Sequence, residues 1–243
     1  MHIHTTLSPC TELGEMTPRA IVRSVIEKGL SMIGICDHNS SRNSQAAIRA
    51  AQGASVVVIP GLEITSSEEV HILGLFPSIE EAQLVQEHVY GHLPGTNDEE
   101  AIGYQVVVDE FDMVDDFDQA LLIGATTLNI QRVVDLIHGH QGIAVASHVD
   151  RSGFGIFSQL GFIPDGLQLD ALEISKHTDC DSARKRFTQC LNYPLISSSD
   201  AHSLADIGSA FTEVEMAETS FEELRMAFKA IHGRRIVGPC RLV

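Results

Sequence analysis

A chain of 243 residues that is 44% hydrophobic and 20% charged has the composition of an ordered protein with a full core, and its length suits one large domain. Its formal charge of −17 opposes a long polyanionic partner, because affinity for a phosphate backbone comes from Lys and Arg, so duplex nucleic acid is not expected as a ligand. Five cysteines, odd in number and without a CxxC pair, exclude a disulfide framework; with no apolar leader or membrane-length run, the expected setting is the reduced cytoplasm, away from membranes.

The chain opens on His2-Ile3-His4. On a strand the side chains alternate with period two, so both imidazoles fall on one face and can share an ion. Only Met1 precedes them, and the strand that bears them is expected to be short. Thr17-Pro18 then starts a helix with a capping hydroxyl and Pro at the first helical position; Ile21, Val22, Val25 and Ile26 form its apolar face and Gly29 its stop. Residues 31–36 read as a buried strand ending in Asp37-His38, residues 44–52 as a helix, and residues 56–63 as a strand running to Glu63. Residues 70–75 form another strand carrying His71.

Residues 77–131 break this rhythm with glycines and an acidic run, and are expected to form an inserted segment or cap within the single domain. The acidic run lacks the spacing of a calcium loop and reads as a solvated face. A helix over 130–138 precedes a strand over 143–147 that stops at His148. Strands over 171–175 and 195–199 follow, the second delivering Asp200 and His202. A helix over 220–232, with the Ser220/Glu223 capping box, leads to a last strand at 235–238.

Short buried strands alternating with helices predict a parallel α/β sheet, with functional groups at the carboxyl ends of its strands. Six or seven strand ends must converge on one site, and a closed, distorted seven-stranded (β/α) barrel does this better than an open sheet. A packed core has no reason to place His, Glu or Asp after nearly every buried strand, since each unpaired buried polar group costs several kcal/mol by rough estimate. A metal cluster removes that cost, and imidazoles with carboxylates suit Zn, Mn or Fe.

The ordered set HxH (His2, His4), DH (Asp37, His38), GLE (Glu63), His71, SH (His148) and SDAH (Asp200, His202) resembles the PHP family, named for polymerase and histidinol phosphatase domains. The resemblance spans nearly the whole chain. It implies a distorted seven-stranded TIM-like barrel holding two or three divalent ions and hydrolysing phosphate esters, here as a small stand-alone phosphoesterase. It implies that His2, His4, Glu63 and Asp200 hold one ion, that Glu63 bridges to a second held by His71 and His148, and that His38 and His202 serve a third. Cys10 stands where relatives carry a further His or Asp, and is either a thiolate ligand favouring Zn or Fe or a small packed thiol.

Glu63, Asp200 and His202 are the candidate catalytic groups, and Asp37 supports the ligands from behind. Arg151 is the candidate phosphate-binding fork, with a salt bridge as the alternative role, and Arg42 and Lys176 are weaker candidates. The expected substrate is a small phosphate ester, a nucleotide or a short oligonucleotide. An amidohydrolase-like C–N or C–O hydrolase and a metal-stabilised regulatory module are the alternatives.

Overall fold

The computed structural model describes residues 1–12 and 14–240, with the side chains of Pro239 and Cys240 outside that description. Helix α1 (Pro18–Glu27) starts as expected, with Thr17 accepting from the Ala20 amide, and it buries Ile21, Val22 and Val25. It leads through β1 (Met32–Ile35) and α2 (Ser44–Ala50) to β2 (Val57–Thr65) and β3 (His71–Leu75). Helix α3 (Ile79–Tyr90), the hairpin β4 (Val106–Val108) and β5 (Val114–Phe117), and α4 (Ile130–Gly139) follow. The rest alternates β6 (Ile143–Ala146), α5 (Ile156–Gln159), β7 (Ala171–Ile174), α6 (Cys180–Arg186), β8 (Leu195–Ser197), β9 (Phe211–Glu215), α7 (Phe221–Phe228) and β10 (Arg235–Cys240).

Six strands make one curled sheet in the order β1-β2-β3-β6-β7-β8. Its seventh position is held by one residue: Ile3 bridges in parallel to Ile35 after one edge and to Ala201 beyond the other. The Cys36 amide donates to the Ile3 carbonyl and the His4 amide to the Ala201 carbonyl, so the short N-terminal stub links both edges.

The expectation of an all-parallel sheet is corrected at β3, which runs antiparallel to both β2 and β6. Only residues 66–70 join β2 to β3, and a parallel return would need a crossover of roughly a dozen residues. The last strand forms as expected, but β10 pairs with β9 in a separate antiparallel hairpin.

Within residues 77–131 the first part belongs to the main core, where Ala82, Val85 and Val89 of α3 pack with Val133, Val134 and Ile137 of α4. Residues 91–129 are tied to the segment between β1 and α2. There Asn43 donates to the Val106 carbonyl, and Asn39 donates to the carbonyls of Leu122 and Gly124. Part of the acidic run is tied down by these contacts: Asp112 accepts from Thr17 and the Arg19 amide at the start of α1.

Alternation along the strands sorts the two faces. Leu62, Ile64, Ile72, Ala144 and Ala146 point outward into the helical layer. Ile59, Leu73, Leu75, Val145, Ala171 and Ile196 point to the other side, where Phe221, Leu224 and Phe228 of α7 pack on them. Phe76 anchors the outer core with its ring pressed on Gly74, where an added Cβ would lie 2.9 Å from the ring. Phe76→Ala is therefore expected to cost about 3–5 kcal/mol, read as a fall in the urea midpoint at constant slope.

Candidate metal centre

The inner face that is apolar at one end of the barrel turns polar at the other, in register. Two residues beyond Gly61 comes Glu63; two before Leu73 comes His71; two beyond Val145 comes Ser147; two beyond Ala171 comes Glu173. Because β3 is antiparallel, its first residue, His71, lies beside the carboxyl end of β2 and pairs with Thr65. His2 and His4 flank the bridging residue Ile3 and enter the same space. Three further positions at strand ends take left-handed backbone: Asn39 (φ 52°), His148 (φ 26°) and Asp200 (φ 46°). Such conformations cost energy in non-glycine residues, and they aim His148 and Asp200 inward.

Glu63 lies at the centre. Its oxygens are 3.3 Å from His2 Nε2, 3.5 Å from His4 Nε2, 3.1 Å from His38 Nδ1, 3.0 Å from His71 Nδ1 and 3.3 Å from His148 Nε2. Asp200 Oδ1 is 3.3 Å from His2 Nε2 and 3.2 Å from His4 Nε2. The His202 ring stacks on His4 with centroids 4.3 Å apart, and Cys10 Sγ sits 3.4 Å from His38 Nε2. All nine positions expected as ligands are thus brought together. Three sets of donor atoms lie within 4.8 Å of one another: His4, His38 and His202; His2, His4 and Glu63; His38, Glu63 and His71.

The hydrogen bonds behind the cluster decide how it is charged. His2 Nδ1 is 3.0 Å from Glu173, a buried carboxylate that can only accept. His4 Nδ1 is 3.0 Å from Ser8 Oγ, which gives its own proton to Asp37 at 2.7 Å and therefore accepts from His4. Both imidazoles then carry their proton on Nδ1, leaving two Nε2 lone pairs facing each other at 3.1 Å beside the oxygens of Glu63 and Asp200. Lone pairs and carboxylates at that spacing repel unless a cation lies among them. His38 Nδ1 and His71 Nδ1 are buried without an oriented hydrogen bond although each is close to Glu63, as expected of donors that converge on a common point. The donor set therefore fits divalent metal.

With no cation among these donors, burial lowers the His2 pKa, but Asp200, Glu63 and Glu173 outweigh it and hold the imidazole well above its ordinary value, so its Nε2 takes up the proton that a bound metal would displace. Burial alone would raise the Glu63 carboxyl, but His71 and His2 outweigh it and hold the group well below the carboxylate range. Burial, with the imidazoles of His202 and His38, holds His4 well below its ordinary pKa, in the neutral form that a ligand requires. Burial raises the Cys10 thiol, yet hydrogen bonds from His202 and His38 bring it down to about 7.

Arg151 reaches the cluster, its Nη1 2.6 Å from Asp200 Oδ2. Arg42 and Lys176 turn elsewhere: Arg42 pairs with Asp116 and Asp118, and Lys176 with Asp206 at 2.5 Å. Asp37 accepts from the Thr5 amide, the Thr5 hydroxyl and the Ser8 hydroxyl, which fixes the 5–8 turn behind His4.

Glu173 and Ser8 were not singled out in the sequence. A carboxylate inside the apolar run Ala171–Ile174 was the available signal for Glu173. Removing the acceptor in Glu173→Ala is expected to weaken metal binding about tenfold to a hundredfold, as outer partners of ligating histidines do. Metal titration of the folded variant checks this.

A family model described as "PHP domain" matches residues 1–151, and one described as "PHP-associated" matches residues 182–231. The uncharacterized protein YqxK of Bacillus subtilis is 31% identical over 117 residues, covering 46% of this chain and 29% of that protein. The 5'-3' exoribonuclease Rnm of Escherichia coli is 34% identical over 84 residues, covering 31% of this chain and 26% of Rnm. The match thus spans under a third of either relative. The lesion-specific endonuclease PfuEndoQ from Pyrococcus furiosus has the same fold, with a TM-score of 0.74 at 19% identity over 100% of this chain and 58% of its own.

One expectation falls here. Net charge argues against duplex nucleic acid as a ligand, yet endonuclease Q in complex with a 27-mer duplex, an abasic lesion at its active site, shares the fold with a TM-score of 0.71 at 20% identity over 97% of this chain and 57% of its own. Global charge averages a whole surface, whereas a ligand meets the local field of the pocket, and a bound cation dominates that field.

Proposed function

The chain belongs to the PHP domain family, and on that footing we propose that it is a metal-dependent phosphoesterase acting on phosphate esters of nucleotides or nucleic acids. The observation that carries the reading is the pair of opposed Nε2 atoms of His2 and His4, 3.1 Å apart beside two carboxylates, with the Nδ1 of each ring hydrogen-bonded on its far side. In this reading His2, His4, Glu63 and Asp200 would hold one ion, and His71 and His148, together with Glu63, would hold a second. His38 and His202, with the thiolate of Cys10, form a third site. Zn, Mn and Fe suit the imidazoles and carboxylates, and the thiolate favours Zn or Fe.

A pair of divalent ions supplies Lewis acidity when bound: it neutralises charge on the phosphoryl oxygens and eases ionisation of the attacking water. The protein does the rest. Arg151, partly open to solvent, presents a guanidinium fork that matches phosphate geometry. Asp200 touches that guanidinium and both opening histidines, so as a permanent carboxylate it is placed to orient the guanidinium and accept a hydrogen bond from the attacking water. Arg42 and Lys176 pair with Asp116, Asp118 and Asp206, which are not cluster residues, whereas the partner of Arg151 is Asp200 of the cluster itself.

The nucleic-acid side of the proposal draws on relatives named as an exoribonuclease and a lesion-specific endonuclease. The test is a panel of phosphomonoesters, nucleotides, oligonucleotides, amides and lactones offered to the metal-loaded protein. Turnover of phosphate esters, lost on chelation, is expected; hydrolysis of amides or lactones alone would overturn the reading.

A further inference from the structure

Beside the cluster stands an aromatic ring that the chemistry above does not use. Phe154 lies in the loop after β6, three residues beyond Arg151, and its ring stacks on His71 with centroids 4.4 Å apart and planes 18° apart. Its other face is open, since the side chain is 41% exposed while His71 beneath it is buried. Its backbone is left-handed, at φ 59°, an outlier for so bulky a residue. The conformation is held from both sides. The His71 amide donates to the Phe154 carbonyl at 3.0 Å, and at the next residue, Gly155, an added Cβ would lie 2.8 Å from the Arg151 carbonyl oxygen. Burying Phe154 in a relaxed loop would remove apolar surface from water, so a strained backbone that keeps the ring exposed beside a metal ligand calls for a role.

We propose that Phe154 is a specificity-determining residue: its open face stacks on the nucleobase of a nucleotide whose phosphate is held by Arg151 and the metal cluster. This rests on the reading of the site as a nucleotide phosphoesterase. One loop carries both elements of recognition, a cation for the phosphate and a π-face for the base, and every base offers a face to stack on. The ring determines that a base is preferred over no base, without selecting among bases.

The experiment compares binding of adenosine 5′-monophosphate and ribose 5-phosphate to the metal-loaded protein by calorimetry, without turnover. The wild type is expected to bind the nucleotide about tenfold more tightly or better. Phe154→Leu brings that ratio close to one, Phe154→Tyr keeps it, and metal content stays at the wild-type level in both variants. A wild-type ratio near one, or a ratio unchanged in Phe154→Leu, overturns the assignment and leaves the ring as a brace for His71. The two failures separate: a protein that prefers the nucleotide yet hydrolyses no phosphate ester sinks the hydrolase reading alone. One that hydrolyses phosphate esters with no preference for a base sinks the stacking role alone.

Discussion

Glu63→Gln is expected to lower kcat for phosphate esters by about a hundredfold to a thousandfold, the scale for removing one charged group from a preorganised site, and to release bound metal. Five imidazole nitrogens lie within 3.5 Å of its two oxygens, so its charge acts on five members of the cluster at once. Glutamine keeps the volume and one acceptor but supplies no charge and adds two N–H donors aimed at lone pairs. A kinetic loss matched by lower metal content, with unchanged circular dichroism, is the expected signature.

Asp200→Asn is expected to cost kcat a similar factor, about a hundredfold to a thousandfold, with a smaller rise in KM. The carboxylate faces His2 and His4 through one oxygen and Arg151 through the other. Burial pushes its pKa up, but the two imidazoles outweigh burial and hold it well below the carboxylate range. Because a carboxyl with a depressed pKa is ionised at every pH above its ordinary value, the wild-type-to-variant ratio is expected to stay flat from mildly acidic to alkaline pH. Rate profiles of both proteins check this, and a ratio that falls away on acidification would show that the carboxylate titrates within the working range.

Much of the centre was legible because a buried strand has two faces and a fixed period. His38, His148, Asp200 and His202 stand where an apolar run stops, and water or a metal is what a polar side chain can meet there. Glu173 was hidden by the same logic: it lies inside the run Ala171–Ile174, and its partners His2, 171 residues away, the Ser147 hydroxyl and the His148 amide explain why a carboxylate is tolerated there. The link from His4 through Ser8 to Asp37 depends on the fold of the 5–8 turn, which periodicity does not encode. The direction of β3 was readable from the length of its connection, yet strand count and helix alternation favoured a uniform parallel barrel. Strand β9, Phe211–Glu215, carries partly exposed side chains and no buried run, so it gave no comparable signal.

The charge balance misled for a different reason. Sixteen Lys and Arg against 33 Asp and Glu describe the whole chain, whereas at the centre most donors are imidazoles rather than carboxylates. A nearby Arg151 and bound cations set the field that a phosphate would meet.

The central claim is that this cluster holds divalent metal and uses it on phosphate esters. Counting metal in anaerobically purified protein while following hydrolysis of a nucleotide or oligonucleotide substrate, before and after chelation, tests it most directly. The account predicts a pair of ions or more per chain, activity that disappears with the metal, and recovery on adding Zn, Mn or Fe. Turnover that persists in metal-free protein, or fully loaded protein inert towards every phosphate ester, would contradict it.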